Sequence, residues 1–327
     1  MLVYSQKKDL LYQLLKFPAK LSLHLYIRQL KINDKKWLCA KGPLLLACNH
    51  PNSFLDAIIY CSIFKQPVYS LARGDVFKNK FAKVLLQSLN MLPVYRTSEG
   101  VENLEHNYST FAACKEIFKQ NGIVLIFSEG KCVNEWHLRP LKKGTARLAL
   151  SSWDDGIPLK VLPTGINYQQ FHCYDKEVHL FFGTIISKED VDHSNGFGRS
   201  ALSFNNLLQK ELQPLVYEIN ASDIEKRKSI FNCNLPKWKK AVLALPAALG
   251  WLLHALLYLP ALKTAQKLGK NNGHYDSILI AFLMLGYPVY VLLVTALAYI
   301  LSGSVFSLWM LLVMPFCAWS YLQVKKG

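Results

Sequence analysis

Asn49-His50-Pro51-Asn52-Ser53-Phe54-Leu55-Asp56 places an imidazole and a carboxylate within reach of each other. The apolar run Leu44, Leu45, Leu46, Ala47 before it reads as a buried strand. Such a strand delivers Asn49 and His50 to its C-terminal edge, where open α/β sheets place ligand chemistry. A helical pattern opens near Ser53, which puts Asp56 in its first turn and allows the carboxylate to turn back on the ring. A histidine held this way acts as a general base, with the aspartate fixing its tautomer and stabilising the imidazolium. A positioned base contributes roughly 10²–10⁴-fold to a proton transfer. The same residues also read as a plain helix start, since Ser53-x-x-Asp56 is similar to a capping box. Residue types alone leave both readings open.

Three further segments carry polar groups to the ends of apolar runs. Ile126-Phe127-Ser128-Glu129-Gly130-Lys131 is a buried strand that ends in a carboxylate and a glycine, which is also common turn chemistry. Arg139-Pro140-Leu141-Lys142-Lys143-Gly144-Thr145-Ala146-Arg147 is a basic loop opening a helix. Backbone N–H groups and the positive helix end favour an anion there, against the plainer reading of a solvated loop. Leu162-Pro163-Thr164-Gly165-Ile166-Asn167-Tyr168 is strand-like but interrupted by proline and glycine.

The elements that must position these groups alternate along the chain. Pro43–Cys48, Val68–Ala72, Leu92–Tyr95, Ile123–Phe127, Leu159–Ile166 and Val178–Phe182 read as buried strands. Ser53–Phe64, Phe77–Leu89, Val101–Gln120 and Gly144–Ser152 read as helices between them. This alternation predicts a layered α/β domain, a largely parallel sheet flanked by helices. Residues 8–30 carry leucines at mostly helical spacing with bases between them, broken or kinked at Pro18. They read either as an amphipathic helix on an anionic membrane surface or as a helix packed on the domain.

Lys and Arg total 38 against 22 Asp and Glu, a net charge of +16, and hydrophobic residues make up 51% of the 327. That hydrophobicity excludes intrinsic disorder. No nucleic-acid motif accompanies the charge, and a membrane surface attracts bases equally well. Eight cysteines without a CxxC pair argue against a zinc site and a disulfide framework. Met1 to Leu30 is too charged to hold the apolar core of a secretory signal, so the bulk of the chain is expected in the cytoplasm.

From Ala241 to Gly327 the sole carboxylate is Asp276. Ile278–Leu301 and Val305–Leu322 hold no charge, and each approaches the roughly 20 residues a helix needs to cross a bilayer core. Ser302, Gly303 and Ser304 between them suit a hairpin, which would return Lys325 and Lys326 to the cytoplasm. Ala241–Leu262, interrupted by Pro246 and Pro260 and flanked by lysines, is expected to dip into the membrane and return, with a full crossing as the rival. The expected organisation is a membrane-surface region over 1–36, a catalytic domain over 37–222, a basic linker over 223–240 and a membrane-embedded region over 241–327.

In order, the four segments resemble the glycerolipid acyltransferase family over roughly residues 37–185. His50 and Asp56 are similar to its His-to-Asp motif. Ala72-Arg73-Gly74-Asp75-Val76-Phe77 with Leu92-Pro93-Val94-Tyr95-Arg96 resembles its second block. Phe127-Ser128-Glu129-Gly130 resembles its Phe-Pro-Glu-Gly block, with Pro140-Leu141-Lys142-Lys143-Gly144 where the family has Pro-Phe-Lys-Lys-Gly. Leu162–Tyr168 resembles the fourth. The resemblance implies transfer of an acyl group from a coenzyme A or acyl carrier protein thioester to a lipid acceptor, most simply 1-acylglycerol-3-phosphate, with His50 and Asp56 catalytic. It further implies acceptor-side roles for Asn49, Arg73, Arg96, Glu129, Gly130, Lys131, Arg139, Lys142 and Lys143. Membrane lipids and the thioester carrier are the implied partners; no metal, cofactor or nucleic acid is required. An apolar groove wide enough for an acyl chain should lie beside the dyad.

The chain also departs from the family. Five residues separate His50 from Asp56 where bacterial lysophosphatidate enzymes usually have four, and Ser128 replaces a proline. Lys131-Cys132-Val133-Asn134 stands where the family has Thr-Arg-Ser-Arg, so the arginine that would grip an acceptor phosphate is missing at Cys132. Either Lys131, Arg139 or Arg73 replaces it, or the acceptor carries no phosphate; the alternative of another class is a catalytically silent membrane lipid-binding protein, against which intact His50, Asp56, Glu129 and Gly130 argue. The membrane segments lie C-terminal to the domain, whereas many bacterial relatives anchor at the N-terminus.

Overall fold

The structure, a computed structural model, describes residues 7–95, 105–192, 196–232, 235–269 and 274–325. In chain order its strands are β1 (Ile27–Ile32), β2 (Leu44–Cys48), β3 (Val68–Arg73), β4 (Met91–Val94), β5 (Ile123–Phe127), β6 (Lys160–Tyr168) and β7 (Lys176–Phe182). The helices are α1 (Lys7–Tyr26), α2 (Ser53–Ile63), α3 (Lys80–Ser88), α4 (Glu105–Lys119), α5 (Lys143–Asp154), α6 (Gly196–Leu212), α7 (Ile224–Ile230), α8 (Lys237–Gly269), α9 (Tyr275–Ser302) and α10 (Met310–Val324). The strands form one sheet in the order β1-β7-β6-β2-β5-β3-β4. Every neighbouring pair is parallel except β6 with β7.

Side chains along a strand alternate between faces, and both faces of this sheet are covered. Leu44, Leu46 and Cys48 of β2, with Ile123 and Leu125 of β5, point to one side and meet Leu55 and Ile59 of α2. Leu45 and Ala47, with Val124 and Ile126, point to the other and meet Phe118 of α4, Leu148 of α5 and Phe204 of α6. Continuous apolar runs such as Leu44–Cys48 are what a doubly covered parallel sheet needs.

Residues 27–32, expected within the N-terminal surface region, form the edge strand β1 paired with β7. Helix α1 runs through Pro18 without ending there. It buries Tyr12, Leu23 and Tyr26 against the fold while Leu14 and Phe17 stay exposed. The expected helix from Phe77 is a short 3-10 turn, Gly74–Phe77, followed by α3.

Three helical segments, Lys237–Gly269, Tyr275–Ser302 and Val305–Val324, are long and apolar enough to cross a membrane. Helix α8 does not fold back at its prolines; it is one helix of 33 residues, about 50 Å at about 1.5 Å per residue. That exceeds the roughly 30 Å of a bilayer core. Part of the excess packs on the domain, where Ala261 and Ala265 of α8 join Leu279 and Ile280 of α9 and Leu322 of α10 in the core cluster of α2. The hairpin turn is present as expected: α9 ends at Gly303 in the left-handed conformation (φ 64°), and Ser304 caps the short turn that follows. At the chain's far end the Arg28 guanidinium donates to the carbonyls of Leu322 and Lys325 and pairs with Asp175, so α10 finishes against the domain.

Candidate active site

The C-terminal end of β2 delivers Asn49 and His50 to the sheet edge, and the first turn of α2 brings Asp56 back toward them. His50 Nδ1 lies 2.8 Å from Asp56 Oδ2. With the proton on Nδ1 the ring's Nε2 is left as a base, and the His50 side chain is 14% exposed, so the ring meets solvent at one edge. Phe127, the last residue of β5, stacks on the imidazole with ring centroids 3.8 Å apart and planes within 11°. Asp56 is fully buried and spends both oxygens on donors: the Tyr168 hydroxyl to Oδ1 at 2.6 Å, and the Asn52 N–H to Oδ2 at 2.9 Å alongside His50. The two groups of the dyad meet, whereas the capping box does not form: Asn52 holds the cap position, Ser53 Oγ turns to His274, and Asp56 Oδ2 accepts the Asn52 N–H together with the imidazole.

Glu129 fixes the loop from the other side. Its Oε2 accepts the His50 N–H and its Oε1 the Arg139 N–H, each at 2.9 Å. Burial raises this carboxyl above its ordinary value, against the two backbone donors that pull it down. Gly130 follows at φ 67°, where a side chain is strained in any case and a Cβ would stand 2.9 Å from Lys142 Cγ. The Lys142 N–H donates to the Ser128 carbonyl at 2.8 Å, which ties the start of α5 to the Glu129 turn.

The remaining expected residues divide. Lys131, Lys142 and Lys143 are exposed. Arg73 is exposed but bidentate on Asp75, and the Arg139 guanidinium is on Glu135 at 2.8 Å. Arg96 lies outside the described residues. Asn49, expected at the acceptor, is buried at 3% exposure: its amide accepts from the Ile166 N–H and donates to the Ile166 carbonyl, at 2.8 and 3.0 Å, which locks β2 to β6. A cavity of about 80 Å³ lies between α1 and the membrane helices, lined by Tyr26, Tyr174, Trp251, His254, Tyr258 and Tyr287.

Residue reasoning missed the contribution of α9. Asp276 accepts from Asn52 Nδ2 at 2.6 Å, Ser53 Oγ pairs with His274 Nδ1 at 2.8 Å, and the Phe54 N–H donates to Ser277 Oγ at 3.2 Å. The available signal was Asp276 itself, the lone carboxylate in an apolar quarter of the chain.

A largely parallel sheet thus carries a His–Asp pair at its C-terminal edge. The acyltransferase family matches residues 29–167, a span that holds β2 through β5, most of β1 and β6, and the whole dyad. Over these residues the chain is similar to the acyltransferase family. No curated protein matches it. Among solved structures it is similar to the 1-acyl-sn-glycerophosphate (LPA) acyltransferase PlsC from Thermotoga maritima, at 13% identity and a TM-score of 0.46, over 67% of this chain and 85% of that one.

Proposed function

We propose that the chain is a membrane-bound O-acyltransferase that moves a fatty acyl group from a coenzyme A or acyl carrier protein thioester to the hydroxyl of a lysophospholipid or glycerol-3-phosphate, with 1-acylglycerol-3-phosphate as the leading acceptor. The observation that carries this reading is the His50–Asp56 pair, with Nδ1 on the carboxylate at 2.8 Å and the His50 side chain 14% exposed. His50 Nε2 takes the acceptor's hydroxyl proton as its oxygen attacks the thioester carbon. The tetrahedral oxyanion then collapses, the C–S bond breaks, and the imidazolium returns its proton to the departing thiolate. Backbone N–H donors at the oxyanion are worth roughly 10²–10³-fold each. Buried Asp56 stabilises the transient imidazolium without leaving the site. Phosphate-binding roles fall to the exposed lysines Lys131, Lys142 and Lys143 beside the start of α5. On this reading the catalytic domain faces the cytoplasm.

A second reading is an acceptor without a phosphate, an amino-lipid or another lyso-lipid. It is favoured by Cys132 at the position of the family's arginine and by the commitment of Arg139 to Glu135. The test is the full chain in lipid nanodiscs, assayed for thiol release with acyl-coenzyme A and acyl carrier protein donors against a panel of acceptors. Turnover with glycerol-3-phosphate or 1-acylglycerol-3-phosphate supports the leading reading. Turnover with an amine or phosphate-free acceptor alone selects the second, and no thiol release with any pair overturns both.

A further inference from the structure

Helix α2 starts without a side-chain N-cap: Asn52 occupies the cap position with no capping bond from its own side chain, and Ser53 sits at φ 50°, in the left-handed region. Uncapped helix starts leave N–H groups that need partners, and a non-glycine residue at positive φ persists only where its surroundings hold it. Here the surroundings are Cys132, whose Sγ accepts the Ser53 N–H, and the opening residues of a membrane helix. His274, Asp276 and Ser277 bond to Ser53, Asn52 and Phe54 in turn.

Asp276 is the centre of this contact. It is fully buried, as is Lys176 of β7, whose ammonium is bonded to its Oδ2. The Tyr26 hydroxyl of α1 donates to its Oδ1 at 2.7 Å. Asn52, 1% exposed, gives its Nδ2 to Asp276 while its Oδ1 has no partner among the described residues. With Oδ1 unpartnered, the bond from Nδ2 to Asp276 is the one hydrogen bond among the described residues that orients this amide. The backbone N–H of that same Asn52 is the donor that holds Asp56 Oδ2, the atom facing His50.

We propose that Asp276 is a positioning residue for the catalytic dyad: through Asn52 it sets where Asp56 presents its carboxylate to His50, and Lys176 supplies the charge that lets it stay buried. Membrane helix α9 is thereby part of the catalytic unit as well as its anchor. This rests on the reading of His50 and Asp56 as the base pair.

The ion pair and the Asn52 contact are separable by substitution. Removing one partner of a buried pair strands the other charge, so the charges are removed together. Asp276→Asn with Lys176→Met keeps an oxygen acceptor for Asn52; Asp276→Leu with Lys176→Met keeps the shape and removes the acceptor. Both are measured as full-length chain in nanodiscs, with thermal midpoint, kcat and donor KM. The expected result is kcat within about threefold of wild type for the first and a ten- to hundredfold loss for the second, with donor KM unchanged in both. Wild-type kcat in the Leu variant, or equal loss in both at unchanged midpoint, overturns the proposal. Should the Leu variant fail to fold, Asn52→Ala reads the same link, because it deletes the amide and keeps the backbone N–H. A tenfold fall in kcat at constant KM supports the proposal, and wild-type kcat overturns it. A His50→Ala control separates the two layers: if that variant turns over normally, the base reading itself fails, whereas an inactive His50→Ala with a normal Asn52→Ala sinks only the role of Asp276.

Discussion

The hydroxyl of Tyr168, at the end of β6, donates to Asp56 Oδ1 across 2.6 Å, on the far side of the carboxylate from His50. Burial, reinforced by the Asp56 charge, pushes this phenol well above its ordinary value, so it stays a donor. Hydrogen bonds to charged groups are worth about 1.5–3 kcal/mol. Tyr168→Phe is expected to lower kcat about tenfold or more and leave donor KM unchanged. Steady-state kinetics on the purified full chain check this; a raised KM at unchanged kcat would assign Tyr168 to substrate binding instead.

Glu129 carries the pH dependence. Its folded value is raised above the ordinary 4.5, chiefly by burial. A carboxyl raised on folding contributes stability that is fully present below its unfolded value and lost as pH rises through its folded value. Acidification through the window just above 4.5 therefore protonates Glu129 without unfolding the domain on its account. The protonated oxygen becomes a donor and a poorer acceptor, so its bond to the N–H of His50 or of Arg139 weakens. Activity should fall across that window while the thermal midpoint, compared with Glu129→Gln, does not. A wild-type midpoint that climbs relative to Glu129→Gln as pH rises through the window would contradict the assignment.

The bundle depends on close approach at Gly250 of α8, where a Cβ would stand 2.2 Å from the Cys317 carbonyl of α10. Small residues at such crossings let membrane helices touch. Gly250→Leu should cost about 1–3 kcal/mol through forced separation and lower the thermal midpoint in detergent. kcat per folded molecule should hold at temperatures below the transition. A midpoint equal to wild type would show that the helices do not meet there.

The two ends of α10 should face opposite sides of the membrane. Arg28 holds the Lys325 end against the domain, while the Gly303 turn joins α9 to α10 at the other. Single cysteines at Ser304 and Gln323, in a cysteine-free background, should react with an impermeant maleimide from opposite sides of sealed vesicles. Labelling of both from one side would contradict the hairpin.

Much of this was readable from residue order. The strands β2 and β5 are unbroken apolar runs, and their period and length leave little choice in a doubly covered sheet. His50, Asp56 and Glu129 follow from what stands at the ends of those runs. β1 was hidden because Ile27–Ile32 alternates with Arg28, Gln29 and Lys31, which an edge strand tolerates and a helical reading absorbs. Asn49 sits beside His50 in sequence, yet its amide pairs with Ile166, a bond only the sheet order β6-β2 creates. The hold of α9 on Asn52 spans 224 residues, and no local pattern encodes that.

The central claim is that His50 Nε2 removes the acceptor's proton. Its most direct test is thiol release by His50→Ala beside wild type, in nanodiscs, at saturating donor and with the best acceptor from the panel. The account predicts loss of about 10²–10⁴-fold or more in kcat, with the variant still inserted and its thermal midpoint close to wild type. A folded, inserted His50→Ala protein that turns over within a few-fold of wild type would contradict it.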